Sequence, residues 1–170
     1  MGMALKSLDA FCNWLAASSV SHAIQTIDWL IPAVQTVHIL AVAAVVTSAL
    51  MINLRLFGIR RDDQSVAAVA RRFLPFIWWP MPVLLATGAV LIVAEPARAL
   101  ENPVFLLKMG LLLAATGVTL ACQLPIRGNA AFWELSRGRR GAAQLVALAS
   151  IPLWIAIVCA GRWIAYVQGN

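Results

Sequence analysis

Three basic side chains, His38, Lys108 and Arg162, stand inside stretches of sequence that are otherwise apolar. An ionisable group in hydrocarbon is costly, so it is expected to have a partner or a task. A neutral imidazole offers a lone pair to a metal. An amine can do so once it has lost its proton, and otherwise it attracts an anion. A guanidinium keeps its charge and presents a planar fork of donors that suits a carboxylate. On a helix, Gln35 and Asn53 fall about 60° from His38, and Ala49 about 20°, with Ala41 and Val45 close to the same direction. A face that mixes polar and small side chains reads as the wall of a pocket. His22 precedes His38 by about 24 Å of helix and reads as an interfacial residue.

No carboxylate lies in the apolar stretches to balance these cations. Asp28 and Glu95 fall near helix ends and Glu101 in a loop. A bound anionic group would solve the electrostatic problem. A haem carries two propionates, takes axial nitrogen or sulfur ligands, and fits between helices. An oxidised quinone needs polar groups but brings no negative charge. Cys12, Cys122 and Cys159 show no paired spacing, which argues against a disulfide framework and against a zinc or iron–sulfur site. They read as small apolar residues.

The elements that must position these groups are membrane helices. Of the 170 residues, 62% are hydrophobic and 12% charged, whereas a soluble domain is nearer half apolar and a quarter charged. The surface therefore faces lipid. Four apolar runs approach the ~20 residues that cross a bilayer. They lie near residues 27–56, 73–94, 103–124 and 142–167, within one membrane domain covering residues 1–170. The opening segment places Leu5, Leu8, Cys12 and Leu15 at helical spacing, with Phe11 and Trp14 widening the stripe. Residues 1–20 are expected to form an amphipathic helix in the membrane interface rather than a signal peptide. Pro80 and Pro82 should kink the second span and free carbonyls. Ala86 to Ala89 form a small-residue patch after them, and Pro152 should bend the fourth span. The fold class is all-α, an integral membrane four-helix up-down bundle with an N-terminal interfacial helix.

The basic residues orient that bundle. Arg55, Arg60, Arg61, Arg71, Arg72, Arg127, Arg137, Arg139 and Arg140 make nine of the thirteen lysines and arginines, and they fall in two loops. Basic residues in short loops mark the cytoplasmic side, so they read as topology signals rather than as a nucleic-acid surface. Both termini and the "EPARALENP" loop then face outward, into the periplasm if the membrane is a bacterial inner membrane. Along the spans, His38 lies about 16 Å from Ile27, Lys108 about 8 Å from Pro103, and Arg162 about 8 Å before Val167. All three cations fall in the outer half.

The stretches "VHILAVAAVVTSALMINLRLFG", "RRFLPFIWWPMPVLLATGAVLIVAEP" and "NPVFLLKMGLLL" resemble the bacterial protoporphyrinogen oxidase (HemJ) family and the related membrane domain of copper-resistance protein D. The likeness covers the first three spans, and the order and spacing of its motifs are more specific than any one motif. A closer resemblance is to an uncharacterised group of bacterial four-helix membrane proteins, carried by Trp29 to Pro32, His38, Leu54 to Gly58, Asn102 to Lys108 and Gly161 to Tyr166. The first resemblance implies a b-type haem, with His38 matching the family histidine and Lys108 the family lysine as metal ligands. This chain departs from the oxidases at Cys122-Gln123, where they often carry a histidine, and at Pro80-Met81-Pro82, where they often carry Pro-Gly.

Three functions follow as expectations. One is a haem b membrane protein that transfers electrons in a membrane redox complex, between a periplasmic or membrane donor and the quinone pool. The second is an enzyme that oxidises a porphyrinogen. The third is a cofactor-free subunit that anchors a larger assembly of like or unlike chains. The expected cofactor-binding residues are His38, Lys108, Arg162 and Gln35. The topology is testable alone: reporter fusions should place the Arg60 and Arg139 loops in the cytoplasm, and labelling either loop from outside intact cells would refute the orientation.

Overall fold

Where water is scarce, a backbone must satisfy its own N–H and C=O groups, and an α-helix does this within one segment. The chain follows that rule. The computed structural model describes residues 2–58, 65–164 and 166, with side chains from Lys6 onward. The side chain of Leu5 and residues Arg60, Arg61 and Val167 lie outside the described residues. The structure is 86% helix, with no strand among the described residues. Helices α1 (Gly2–Ala16) and α2 (Ser19–Gln25) precede α3 (Leu30–Leu56). A broken segment follows as α4 (Val66–Phe73), α5 (Pro75–Trp78) and α6 (Pro80–Ala94). Then come α7 (Pro96–Leu100), α8 (Pro103–Gly128), a 3-10 turn at Phe132–Glu134, and α9 (Arg137–Trp163). Four stretches are long and apolar enough to cross a membrane: Leu30–Leu56, Val66–Ala94, Pro103–Gly128 and Arg137–Trp163. The chain is a multi-pass membrane protein by that measure, as its composition led us to expect.

The stretches differ from the expected spans mainly at their ends. The second starts at Val66 because Ser65 caps it, its Oγ accepting from Ala68 N at 3.2 Å. Pro75 and Pro80 each open a new helical segment, since neither has an N–H to continue the previous one. Hydrogen bonds from Leu74 N to Ala70 O (2.8 Å) and from Trp79 N to Pro75 O (2.9 Å) carry the ladder across these joints. The third runs through Pro125 to Gly128, past the expected end.

The residues cluster into two compact units. The first comprises Met1–Val42, Met81–Met109 and Val158–Asn170. In it α1 packs on α7 and α2. Cys12 is buried there and hydrogen-bonds the Glu101 side chain; burial first, and that bond next, hold its thiol above the usual range. Gln25 donates from Nε2 to Ala94 O at 2.6 Å, and buried Asn102 donates from Nδ2 to Ile164 O at 3.4 Å. Both amides thereby satisfy carbonyls at helix C-terminal ends, which have no partner inside their own helix. Asn102 also accepts from Val104 N at 2.9 Å, capping α8. Phe11, Trp14, Trp29, Trp163 and Tyr166 are exposed on this unit.

The second unit comprises Ala43–Pro80 and Gly110–Ile157. Its core is built from small side chains, among them Ala49, Ala67, Ala70, Ala115, Ala143 and Ala147, and from paired polar groups. Asn53 Nδ2 donates to Ser150 Oγ at 3.1 Å, Trp78 Nε1 to Gln123 Oε1 at 3.1 Å, and Trp133 Nε1 to Cys122 O at 3.0 Å. A cavity of about 20 Å³, lined in part by Asn53, Thr119, Gln123 and Ser150, has room for about one water. Glu134 joins three segments. Its carboxylate accepts from Val66 N at 2.9 Å and pairs with Arg55 at 3.9 Å, while its carbonyl accepts from Arg140 at 3.3 Å.

The Asn53–Ser150 bond links α3 to α9 and allows a direct test. Hydrogen bonds between membrane helices average about 0.6 kcal/mol in double-mutant cycles. Asn53→Ala, Ser150→Ala and the double variant, unfolded reversibly in mixed micelles, should give a coupling energy of about that size. Strict additivity would show that the bond does not hold these helices together.

Candidate ligand site at His38 and Lys108

His38 belongs to α3 and lies on the side that carries buried Ala41 and Val45. Its ring is half-buried, and Nδ1 lies 2.8 Å from Thr87 Oγ1 on α6. Thr87 Oγ1 lies 2.6 Å from Val83 O and 3.3 Å from Leu84 O, within its own helix. Threonine makes such bonds to the preceding turn readily, so the helix sets its hydroxyl and the hydroxyl sets the ring. Gly88 lines the same side of the ring: a Cβ at that position would lie 3.8 Å from His38 Cε1, an ordinary contact. Nε2 of His38 has no hydrogen-bond partner among the described residues.

Lys108 lies in the second turn of α8, and its side chain is half-buried. Its stem runs along α9 at Gly161, where a Cβ would lie 3.5 Å from Nζ and 3.7 Å from Cε. Among the described residues its ammonium has no hydrogen-bond or ion-pair partner. Of the acidic side chains in this unit, Asp9, Asp28, Glu95 and Glu101, none pairs with Lys108; Glu95 pairs with Arg98 at 2.7 Å and Glu101 accepts from Cys12. The structure therefore gathers an imidazole with one untied nitrogen and an amine without a counter-ion in one unit.

The other expected residues stand apart from this pair. Gln35 is exposed on α3. Arg162 is exposed near the end of α9, where it donates to Tyr166 Oη at 2.8 Å and lies 5.2 Å from the centre of that ring. This is the geometry of a side chain that reaches outward and anchors on an aromatic neighbour. His22 is exposed on α2. Thr87, Gly88 and Gly161 are the contacts that sequence reading missed as site residues. The small-residue patch at Ala86 to Ala89 is the signal that holds two of them.

Among the described residues, no group of three or more His, Cys, Asp or Glu side chains is placed to hold a metal ion. A metal at His38 would have to bring most of its ligands with it, as the four nitrogens of a porphyrin do. One imidazole lone pair, with one amine nearby, fits that donor requirement.

No curated protein and no solved structure matches this chain. A family model matches residues 11–167, a stretch that takes in all four long apolar helices, and the chain therefore belongs to that family, DUF6644, a family of unknown function.

Proposed function

We propose that this chain is a haem b-binding integral membrane protein that carries electrons within a membrane redox complex. The observation that carries the reading is the half-buried His38, whose Nδ1 is tied to Thr87 while Nε2 has no protein partner among the described residues. A ligating histidine characteristically uses its second nitrogen in this way, for a bond that orients the ring. The likeness to the protoporphyrinogen oxidases, on the residues quoted above, adds support. On this reading Nε2 of His38 would be one ligand of the haem iron. Lys108 would be either a second ligand, after losing its proton, or a cation for a propionate. The haem contributes reversible one-electron chemistry at its iron. The bundle runs up and down through a bacterial inner membrane with both termini in the periplasm, α1 lies along the interface, and the electron partners are quinone or a periplasmic donor.

A second reading is a cofactor-free accessory subunit. The exposed Arg162–Tyr166 pair and the neighbouring exposed tryptophans favour it, because aromatic and arginine side chains of this kind anchor helices at headgroup level. Porphyrinogen oxidation is the remaining alternative, and turnover of a porphyrinogen separates it from electron transfer.

The absorption spectrum of the purified protein decides between haem and no haem. His38→Ala should insert normally and lose the Soret band, with haem content falling about tenfold or more. His22→Ala should leave the band in place. A normal spectrum in His38→Ala would reject the axial assignment.

Lys108 and Arg162 separate by a different pair of variants. Lys108→Met deletes a cation and an amine but leaves a thioether, so it should alter the ligand-field bands or shift the midpoint potential. Arg162→Lys keeps the charge and loses the fork. It should weaken haem retention if Arg162 holds a propionate, and change nothing if Arg162 serves only to anchor α9 through Tyr166.

A further inference from the structure

We infer that Thr87 is a positioning residue that fixes the tautomer of His38, placing the ring proton on Nδ1 and leaving the lone pair on Nε2. A threonine hydroxyl has one hydrogen and two lone pairs. Thr87 Oγ1 lies 2.6 Å from Val83 O. Two oxygens at that distance need a hydrogen between them, and a carbonyl has none to give. The Thr87 hydrogen is therefore committed to Val83 O. The contact of 2.8 Å to His38 Nδ1 then also needs a hydrogen, and only the ring can supply it. Nδ1 donates, Thr87 accepts, and in the neutral ring Nε2 is left bare.

The chain of bonds runs from a helix carbonyl through a hydroxyl to an imidazole. The backbone of α6 thereby dictates which nitrogen of a residue on α3 is the electron-pair donor. A histidine side chain free in water prefers the other tautomer, with its proton on Nε2, so the protein reverses an intrinsic preference. Gly88, next to Thr87, lies against the ring: a Cβ there would be in ordinary contact with His38 Cε1 at 3.8 Å. The tautomer does not depend on what binds. It deepens the haem reading by naming the residue that prepares the ligand nitrogen, and only that extension rests on the haem reading.

The chain has two histidines, which makes the state of each ring readable. The full chain with isotope-labelled histidine, in lipid nanodiscs without added haem, is measured by nitrogen NMR, with His22→Asn used for assignment. The pH is raised until the His38 signals stop changing, so that the ring is neutral. The expected spectrum shows a protonated Nδ1 and a bare Nε2, the latter identified by its coupling to the Cδ2 proton. Thr87→Ser, which keeps the hydroxyl, should retain the pattern. Thr87→Val, which keeps the shape and removes the acceptor, should shift the ring to Nε2–H or to a mixture. A wild-type ring protonated on Nε2 overturns the inference, and so does an unchanged pattern in Thr87→Val. Haem titration of the same samples reads the proposed function separately. A colourless protein whose His38 still carries its proton on Nδ1 would reject haem while upholding the role of Thr87.

Discussion

Hydrocarbon offers no hydrogen bonds, and every polar group that enters it must find its partner in the protein. This constraint selects helices for the backbone and then sorts the polar side chains. Thr36, Ser48 and Thr119 satisfy themselves on the carbonyl four residues earlier. Asn53, Trp78 and Gln123 find partners on other helices. Against that background Nε1 of Trp154 is the one buried side-chain nitrogen or oxygen left without a partner among the described residues, and Nε2 of His38 and Nζ of Lys108, on half-buried side chains, have none either. In a fold that pairs its polar groups so consistently, an atom left over is where function is sought.

The same constraint explains how the helix ends are held. The final carbonyls of a helix have no partner within it. Gln25 and Asn102 supply amide hydrogens to carbonyls at the ends of α6 and α9, from elements distant in sequence. In the other unit Glu134 accepts the first N–H of α4 and also meets the Arg55 charge. Connections that look like simple loops in the sequence are thus fastened by single polar side chains that reach a backbone group distant in sequence.

Much of this was legible beforehand because apolar runs of this length have few other fates. The four long helices, the breaks near the prolines and the prominence of His38 and Lys108 follow from composition and position. Boundaries were less legible. The third span is expected near residues 103–124, yet α8 continues through Pro125 to Gly128, because a proline forfeits one hydrogen bond and the helix resumes beyond it. Gln35 shows a second limit. It shares its helical direction with Asn53, but Asn53 meets Ser150 and is buried while Gln35 is exposed. Periodicity tells which way a side chain points and cannot tell whether another helix stands opposite. For the same reason Thr87 could not be joined to His38 across forty-nine residues.

Gly88 and Gly161 carry a consequence of their own. One faces the imidazole of His38 and the other the stem of Lys108, and each offers main chain where other residues would offer a movable side chain. A wall of that kind does not swing aside. A methyl group added at either position would only touch its neighbour, whereas a branched side chain would press on it. The two polar side chains are thus backed by surfaces that neither yield nor follow, and their remaining freedom is directed away from those surfaces.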